Sequence, residues 1–255
     1  GPVAARLNAP LSGPPRFHVR HKWPPDFSAP PSGHWIVIQP WEFGRIPAAW
    51  VEPIQTKVDE IWVPSEYARR CYLDSGIDAN RVYVVPNGVD VARFTPDAKP
   101  VELPTEKSFK FLFVGGTIYR KGIDILLKTY RETFSADDDV CLVIKGMGDE
   151  SFYKGQTAGD LIREIQADET APEVVYLTEV LGDDEIAGLY TACDCLVHPY
   201  RGEGFGMPVA EAMACGLPVV VTQGGATDDF CTPETSYGVR AKRCPIAFQE
   251  ETAGQ

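Results

Sequence analysis

The stretch FKFLFVGGTIYRKGIDILLKTYRETF, residues 109–134, decides how the chain is to be read. Phe109 to Val114 is an apolar-rich run that reads as a strand. Gly115 and Gly116 interrupt it. Ile123, Leu126, Leu127 and Tyr130 then recur at helical spacing, so a helix with one apolar face is expected from Ile123 to Phe134. Strand, glycine turn and helix form the start of a βαβ unit, which belongs to a parallel sheet.

Towards the carboxyl end the alternation continues. Val140 to Ile144, Val174 to Leu177, Cys195 to Val197 and Leu217 to Thr222 read as strands. Asp183 to Ala192 reads as a helix with Ile186, Leu189 and Tyr190 inward, and Pro208 to Cys215 as a short helix between glycine loops. Towards the amino end the grammar repeats more weakly. Residues up to Pro31 are rich in proline and have little periodicity. Ile36-Val37-Ile38 is a short apolar run ending in Gln39-Pro40-Trp41-Glu42-Phe43-Gly44, followed by a helix and the strand Ile61-Trp62-Val63. Ser65 is a good N-cap and Gly76 a plausible stop for the next helix. Val82 to Val85 is a strand closed by the turn residues Pro86-Asn87-Gly88. Val91 to Lys107, with three prolines and mixed charges, reads as a linker. The chain is therefore expected to be α/β, with parallel-sheet units over residues 1–95 and 96–255.

Composition bounds the function. The 255 residues are 44% hydrophobic, enough for a real core. A formal net charge of −12 argues against wrapping nucleic acid or lying on an anionic membrane, both of which need a dominant basic face. It leaves room for an anionic small molecule held by a few local cations. No apolar run reaches the ~20 residues that cross a bilayer, and no secretory leader pattern opens the chain, so a soluble, cytoplasmic protein is expected. Seven scattered cysteines, among them Cys193 and Cys195 without a second ligand cluster, are expected to be reduced and mostly buried thiols rather than a zinc site. Asp137-Asp138-Asp139 follows a helix rather than a strand and reads as a solvated turn, not a metal motif.

In open parallel sheets, ligands bind beyond the carboxyl ends of the strands, and three such loops carry the means to hold an anion. Gly115-Gly116-Thr117-Ile118-Tyr119-Arg120-Lys121-Gly122 combines close-approach glycines with two adjacent cations, which suit a diphosphate; taken alone it also reads as a solvated turn with surface cations. It has neither the Walker nor the dinucleotide spacing. Lys145-Gly146-Met147-Gly148-Asp149 is the second loop. The third is Arg201-Gly202-Glu203-Gly204-Phe205-Gly206-Met207-Pro208, leading into Val209-Ala210-Glu211-Ala212-Met213-Ala214-Cys215-Gly216. Its glycines sit at a helix N-terminus, where amides and the helix dipole favour an anion. Glu211 is expected in the first helical turn, either accepting from ribose hydroxyls or facing the dipole. Glu203, between two glycines, has no comparable structural reason to be there.

This third loop resembles the signature of retaining GT-B glycosyltransferases of the group 1 family, in which two glutamates are separated by seven residues, here Glu203 and Glu211. Val85-Pro86-Asn87-Gly88-Val89-Asp90 is similar to that family's interdomain segment, and Arg120-Lys121-Gly122 to its diphosphate loop, in the family's order. The resemblance covers about Trp35 to Gly225. It implies a GT-B fold, two Rossmann-like parallel-sheet domains facing a cleft, with residues 1–95 an incomplete acceptor-side domain and 96–255 the nucleotide-sugar donor domain. A GT-B amino-terminal domain usually opens with further strand–helix units, and closing helices are expected beyond the carboxyl end.

By the same resemblance, Arg120 and Lys121 would hold the donor diphosphate and stabilise the departing nucleotide, with Glu203 near the transferred sugar. Gly115, Gly116, Thr117, Lys145, Gly204, Phe205, Gly206 and Met207 would line the donor, Glu211 would bind the ribose, and the base would lie near Val180 and Leu181. Gln39 and Glu42 stand where relatives often carry a histidine pointing into the cleft, and His21 and His198 are alternatives. The implied activity is sugar transfer from a nucleotide-sugar donor to a glycan, lipid or small-molecule acceptor, with retention and without cofactor or metal. An oligomer is compatible with it. A non-catalytic nucleotide-sugar-binding module and another GT-B enzyme, such as an epimerase, are the competing readings. A phosphorylase would need a pyridoxal lysine signature, which the chain does not show.

Overall fold

The computed structural model describes residues 13–147 and 157–243, which fall into two compact units dividing between Pro86 and Asn87. Gly148 and Asp149, at the end of the second candidate loop, lie outside the described residues.

The first unit runs β1 (Phe17–His21), β2 (His34–Ile38), α1 (Ala48–Lys57), β3 (Glu60–Val63), α2 (Glu66–Leu73) and β4 (Val82–Val84). Its four strands lie in chain order and every pair is parallel. Trp35, Val37, Ile61 and Val63 of the sheet bury against Ile54 of α1 and Tyr72 of α2. Ser65 caps α2 as expected, its hydroxyl accepting from the Ala68 amide at 3.1 Å. β1 is a correction to the reading of residues up to Pro31 as aperiodic. It is an edge strand whose Phe17 and Val19 stay exposed, so its sequence has no buried apolar run to announce it.

The second unit runs β5 (Phe109–Val114), α3 (Ile123–Thr133), β6 (Val140–Lys145), α4 (Gly159–Ala167), β7 (Glu173–Leu177), α5 (Asp183–Thr191), β8 (Cys195–His198), α6 (Met207–Ala214), β9 (Val219–Thr222) and β10 (Tyr237–Val239). All its strands are parallel, in the spatial order β10-β9-β8-β5-β6-β7. Counted along the unit this is 3-2-1-4-5-6 from the β7 edge, the doubly wound order of dinucleotide-binding domains. Successive residues of β5 supply opposite faces. Leu112 packs with Leu189, Tyr190 and Val209 of α5 and α6, whereas Phe113 packs with Ile123, Leu127 and Ile162 of α3 and α4. Cys141 and Val143 against Leu142 and Ile144 repeat the alternation in β6. The apolar face expected of residues 123–134 is the one buried: Ile123, Leu126, Leu127 and Tyr130. Helix α4 and edge strand β10 were not legible, β10 because all three of its residues are exposed.

Val91 to Lys107 is not the free linker expected. Phe94, Val101 and Leu103 pack on the second unit's core, the Val101 amide donates to Gly188 O at 3.1 Å, and Thr191 Oγ1 donates to Ala98 O at 2.9 Å. The segment forms a strap along α5. Asp138 and Asp139 do cap the turn before β6, accepting from Ser135 and Ser108, and all three aspartates there are exposed. The described cysteines are all free, and all of them but Cys231 are buried. Among the described residues no helix is long and apolar enough to cross a membrane.

Gly188 makes the strap testable, because a Cβ there would meet Lys99 O at 2.4 Å. Alanine for glycine inside a helix ordinarily stabilises by about 0.5–1 kcal/mol. Here Gly188→Ala is expected to reverse the sign and destabilise the second unit by about 1–3 kcal/mol through overpacking. Urea unfolding decides the matter: an unchanged or raised midpoint would mean that the strap does not lie against α5.

Candidate functional site

Strand order changes direction between β5 and β8, and there the loops leaving both strands run side by side. They are tied together by main chain. The Arg201 and Gly202 amides both donate to Arg120 O, at 2.8 and 3.4 Å. Arg120 Nη1 in turn donates to Gly202 O at 2.9 Å. Gly122 permits the contact: it has φ +74°, and a Cβ at that position would lie 2.1 Å from Pro199 O. Arg201 fastens the outer edge. Its guanidinium grips Asp124 through both carboxylate oxygens at 2.6 and 2.8 Å, donates to Tyr119 O at 2.7 Å, and stacks 3.6 Å over the Tyr119 ring. Burial opposes the ionisation of Asp124 most strongly, but the Arg201 hydrogen bond and charge, together with the backbone amides of Asp124 and Ile125, outweigh it and hold the carboxyl below its usual range.

Inside this frame the expected residues meet. The Lys121 ammonium donates to Glu203 Oε1, Arg120 Nη1 lies 3.7 Å from Glu203 Oε2, and His198 Nε2 lies 3.1 Å from Glu203 Oε1. Glu203 is only 6% exposed. Burial alone would raise its pKa, but Lys121, the His198 bond and Arg120 together depress it far below the usual carboxylate range. His198, at the end of β8, is fully buried, and burial lowers its pKa. Its ring is a direct partner of the signature glutamate.

Glu211 corrects an expectation. Helix α6 begins at Met207, so Glu211 is its fifth residue and lies beyond the first turn, where the helix dipole is weak. Its carboxylate accepts from the buried Tyr190 hydroxyl at 2.8 Å, and burial raises its pKa. The Gly202–Gly206 stretch is buried, Phe205 packing on Phe230 with ring centroids 5.2 Å apart, while Met207 is half-buried. Pro208 has no amide, and the Val209 and Ala210 amides already donate to Gly206 O. The amides this helix end can offer an anion therefore come from the loop before Pro208.

The remaining candidates of the second unit spread along the same sheet edge. Gly116 and Thr117 are buried and Gly115 half-buried; the Thr117 hydroxyl lies 3.4 Å from that of Tyr176. Lys145 ends β6 with its ammonium on Gly146 O, and burial lowers its pKa. Val180 is fully exposed beyond β7, and Leu181 packs on the core. Gln39 and Glu42 belong to the first unit. Gln39 is 2% exposed with its Nε2 on Pro40 O, Glu42 O accepts from the Tyr67 hydroxyl, and His21 is exposed at the end of β1. Sequence reasoning missed Arg201, Asp124 and Tyr190 as parts of the site. Arg201 stood in the quoted loop, but nothing local points it back to Asp124. Among the described residues no three His, Cys, Asp or Glu side chains are grouped to hold a metal.

With this geometry in place, comparison with known proteins is direct. Residues 95–239 match the family model described as Glycosyl transferases group 1, and residues 1–93 match that of Glycosyltransferase Family 4. The chain belongs to the group 1 glycosyl transferase family, with an α/β fold of the GT-B type. A D-inositol 3-phosphate glycosyltransferase of Pseudarthrobacter chlorophenolicus is 30% identical over 59% of this chain and 36% of its own. An uncharacterised glycosyltransferase of Methanocaldococcus jannaschii is 33% identical over 69% of this chain and 43% of its own. A GDP-mannose-dependent alpha-mannosyltransferase of Corynebacterium glutamicum is 28% identical over 71% of this chain and 40% of its own. The chain thus spans well under half the length of these relatives. In fold it is similar to sucrose-phosphate synthase from Thermosynechococcus elongatus (TM-score 0.64, 21% identity, 82% of this chain and 55% of that one). It is likewise similar to Anabaena HepE in complex with UDP and glucose (TM-score 0.63, 16% identity, 82% and 58%).

The ion cluster predicts an acid-sensitive stability term. Because the folded-state pKa of Glu203 is depressed, its contribution is complete above the unfolded value of about 4.3 and is lost as pH falls through the folded one. Glu203→Gln is expected to destabilise the protein by about 1–3 kcal/mol at pH 7, with the difference from wild type shrinking below pH 4. Unfolding curves at pH 7 and pH 3.5 check this; a constant difference would show that the charge of Glu203 is not what the cluster uses.

Proposed function

We propose that this chain carries the donor site of a retaining, metal-independent, nucleotide-sugar-dependent glycosyltransferase, together with part of the acceptor-side domain. The observation that carries the proposal is the pairing of Arg120 and Lys121 at the strand-order switch, oriented by one buried carboxylate. Two adjacent cations match the charge of a diphosphate. In transfer, the bond from the anomeric carbon to the donor diphosphate breaks, a bond to the acceptor oxygen forms, and the acceptor hydroxyl's proton passes to the departing diphosphate. Negative charge grows on the departing nucleotide, where Arg120 and Lys121 stabilise it without a divalent ion. Glu203 holds both cations and lies near the transferred sugar. Amides of Gly204, Phe205, Gly206 and Met207 face the sugar and phosphates, along with the Gly115-Gly116-Thr117 turn and Lys145. Glu211, presented by Tyr190, accepts from the ribose hydroxyls, and the base lies by Val180 and Leu181. The acceptor is a glycan, lipid or small molecule.

One relative is named for GDP-mannose and one similar structure holds UDP, so these nucleotides are the probes to use. Calorimetric titration without metal is expected to show saturable binding of UDP or GDP, weakened by about 1–3 kcal/mol in Glu211→Ala, the range for unpaired polar groups. Unaltered affinity in a folded Glu211→Ala protein would remove the ribose assignment. Replacing Arg120 and Lys121 together by alanine is expected to slow acceptor-dependent donor consumption more than it weakens binding of the bare nucleoside. Donor consumed without acceptor would favour an epimerase, and binding without turnover a non-catalytic module.

A further inference from the structure

His198 has a feature that the donor-site reading leaves unused. An ionised carboxylate only accepts hydrogen bonds, so the 3.1 Å contact with Glu203 Oε1 requires His198 to donate from Nε2. In the neutral ring Nδ1 is then an acceptor, and it is buried with no hydrogen-bond partner. The groups that face the ring are few. Glu203 attracts positive charge on it, and Lys121 and Arg120 from the loop after β5 repel it. Phe113 of β5 lies beside the ring at 5.6 Å between centroids, and Tyr200 at 5.8 Å. Three effects keep the ring neutral in this setting: full burial, the two cations, and the lack of an acceptor for a proton on Nδ1.

A diphosphate would change the balance. On protein groups alone, Lys121, Arg120 and Glu203 sum to one positive charge, and a proton on His198 would make two. A diphosphate carrying two negative charges takes the sum to minus one, and the proton then completes neutrality. In addition, an ammonium drawn towards phosphate loosens its hold on Glu203 Oε1, leaving His198 as that oxygen's remaining partner. Both changes favour imidazolium.

We propose that His198 is a proton-linked positioning residue, so that a diphosphate held by Arg120 and Lys121 binds together with a proton on His198 Nδ1. This rests on the donor-site reading above. It makes nucleotide affinity depend on pH through a residue that touches the signature glutamate but not the donor. The chain has only four histidines, which makes the ring directly observable.

The test is calorimetric titration with UDP and with GDP near pH 7 in buffers of different ionisation enthalpy, on wild type and His198→Gln. It is paired with imidazole NMR of the wild type with and without saturating nucleotide. Wild type is expected to take up a fraction of a proton that His198→Gln does not, and the His198 resonance to titrate at higher pH when nucleotide is bound. Wild-type affinity relative to His198→Gln should rise as pH falls, by up to about tenfold per pH unit, the limit for one linked proton. The nucleotide's own phosphate titration is common to both proteins and cancels in the comparison. Nucleotide binding with an unmoved His198 titration overturns the inference while leaving the donor site standing. No binding of either nucleotide removes both. Should His198→Gln fail to fold, the wild-type resonance alone decides.

Discussion

Two loops separated by 82 residues in the chain are held together by the Glu203 carboxylate and its three partners. The rest of the site depends on that buried charge. A lone carboxylate at this depth would be expelled or protonated, and two neighbouring cations without it would repel each other. The scaffold supplies the conditions: the switch in strand order brings the loops alongside, Gly122 allows backbone contact, and Arg201 bolts the edge to Asp124.

The local charge is opposite in sign to that of the whole molecule. A chain of net charge −12 concentrates two cations at one sheet edge and offsets only half their charge with Glu203. A small anion is attracted there by a near field that outweighs the distant negative surface, because the distant charges are screened within about 10 Å. The same arrangement sets the buried His198 ring against the carboxylate that offsets the cations.

Legibility followed the range of the interactions. Strand β5 and helix α3 read correctly because their burial is written in an apolar run and a helical repeat within residues 109–134. Strands β1 and β10 did not, since each gains its conformation from pairing at an edge while exposing its side chains. The strap of Val91 to Lys107 read as a linker because its prolines are a local signal, whereas its contacts with α5 are not.

The sequence by itself determined that the chain is a parallel α/β protein, that Arg120, Lys121 and Glu203 stand on glycine-rich turns after strands, and that Glu211 stands in the helix that follows. Periodicity and turn chemistry are properties of neighbouring residues, and so are the motifs built on them. Only the tertiary structure decided that Arg120 and Lys121 close on Glu203, that His198 joins them, and that Glu211 leans on Tyr190 rather than on the helix dipole. Strand order and helix register control those meetings, and both are set by packing between segments far apart in the chain.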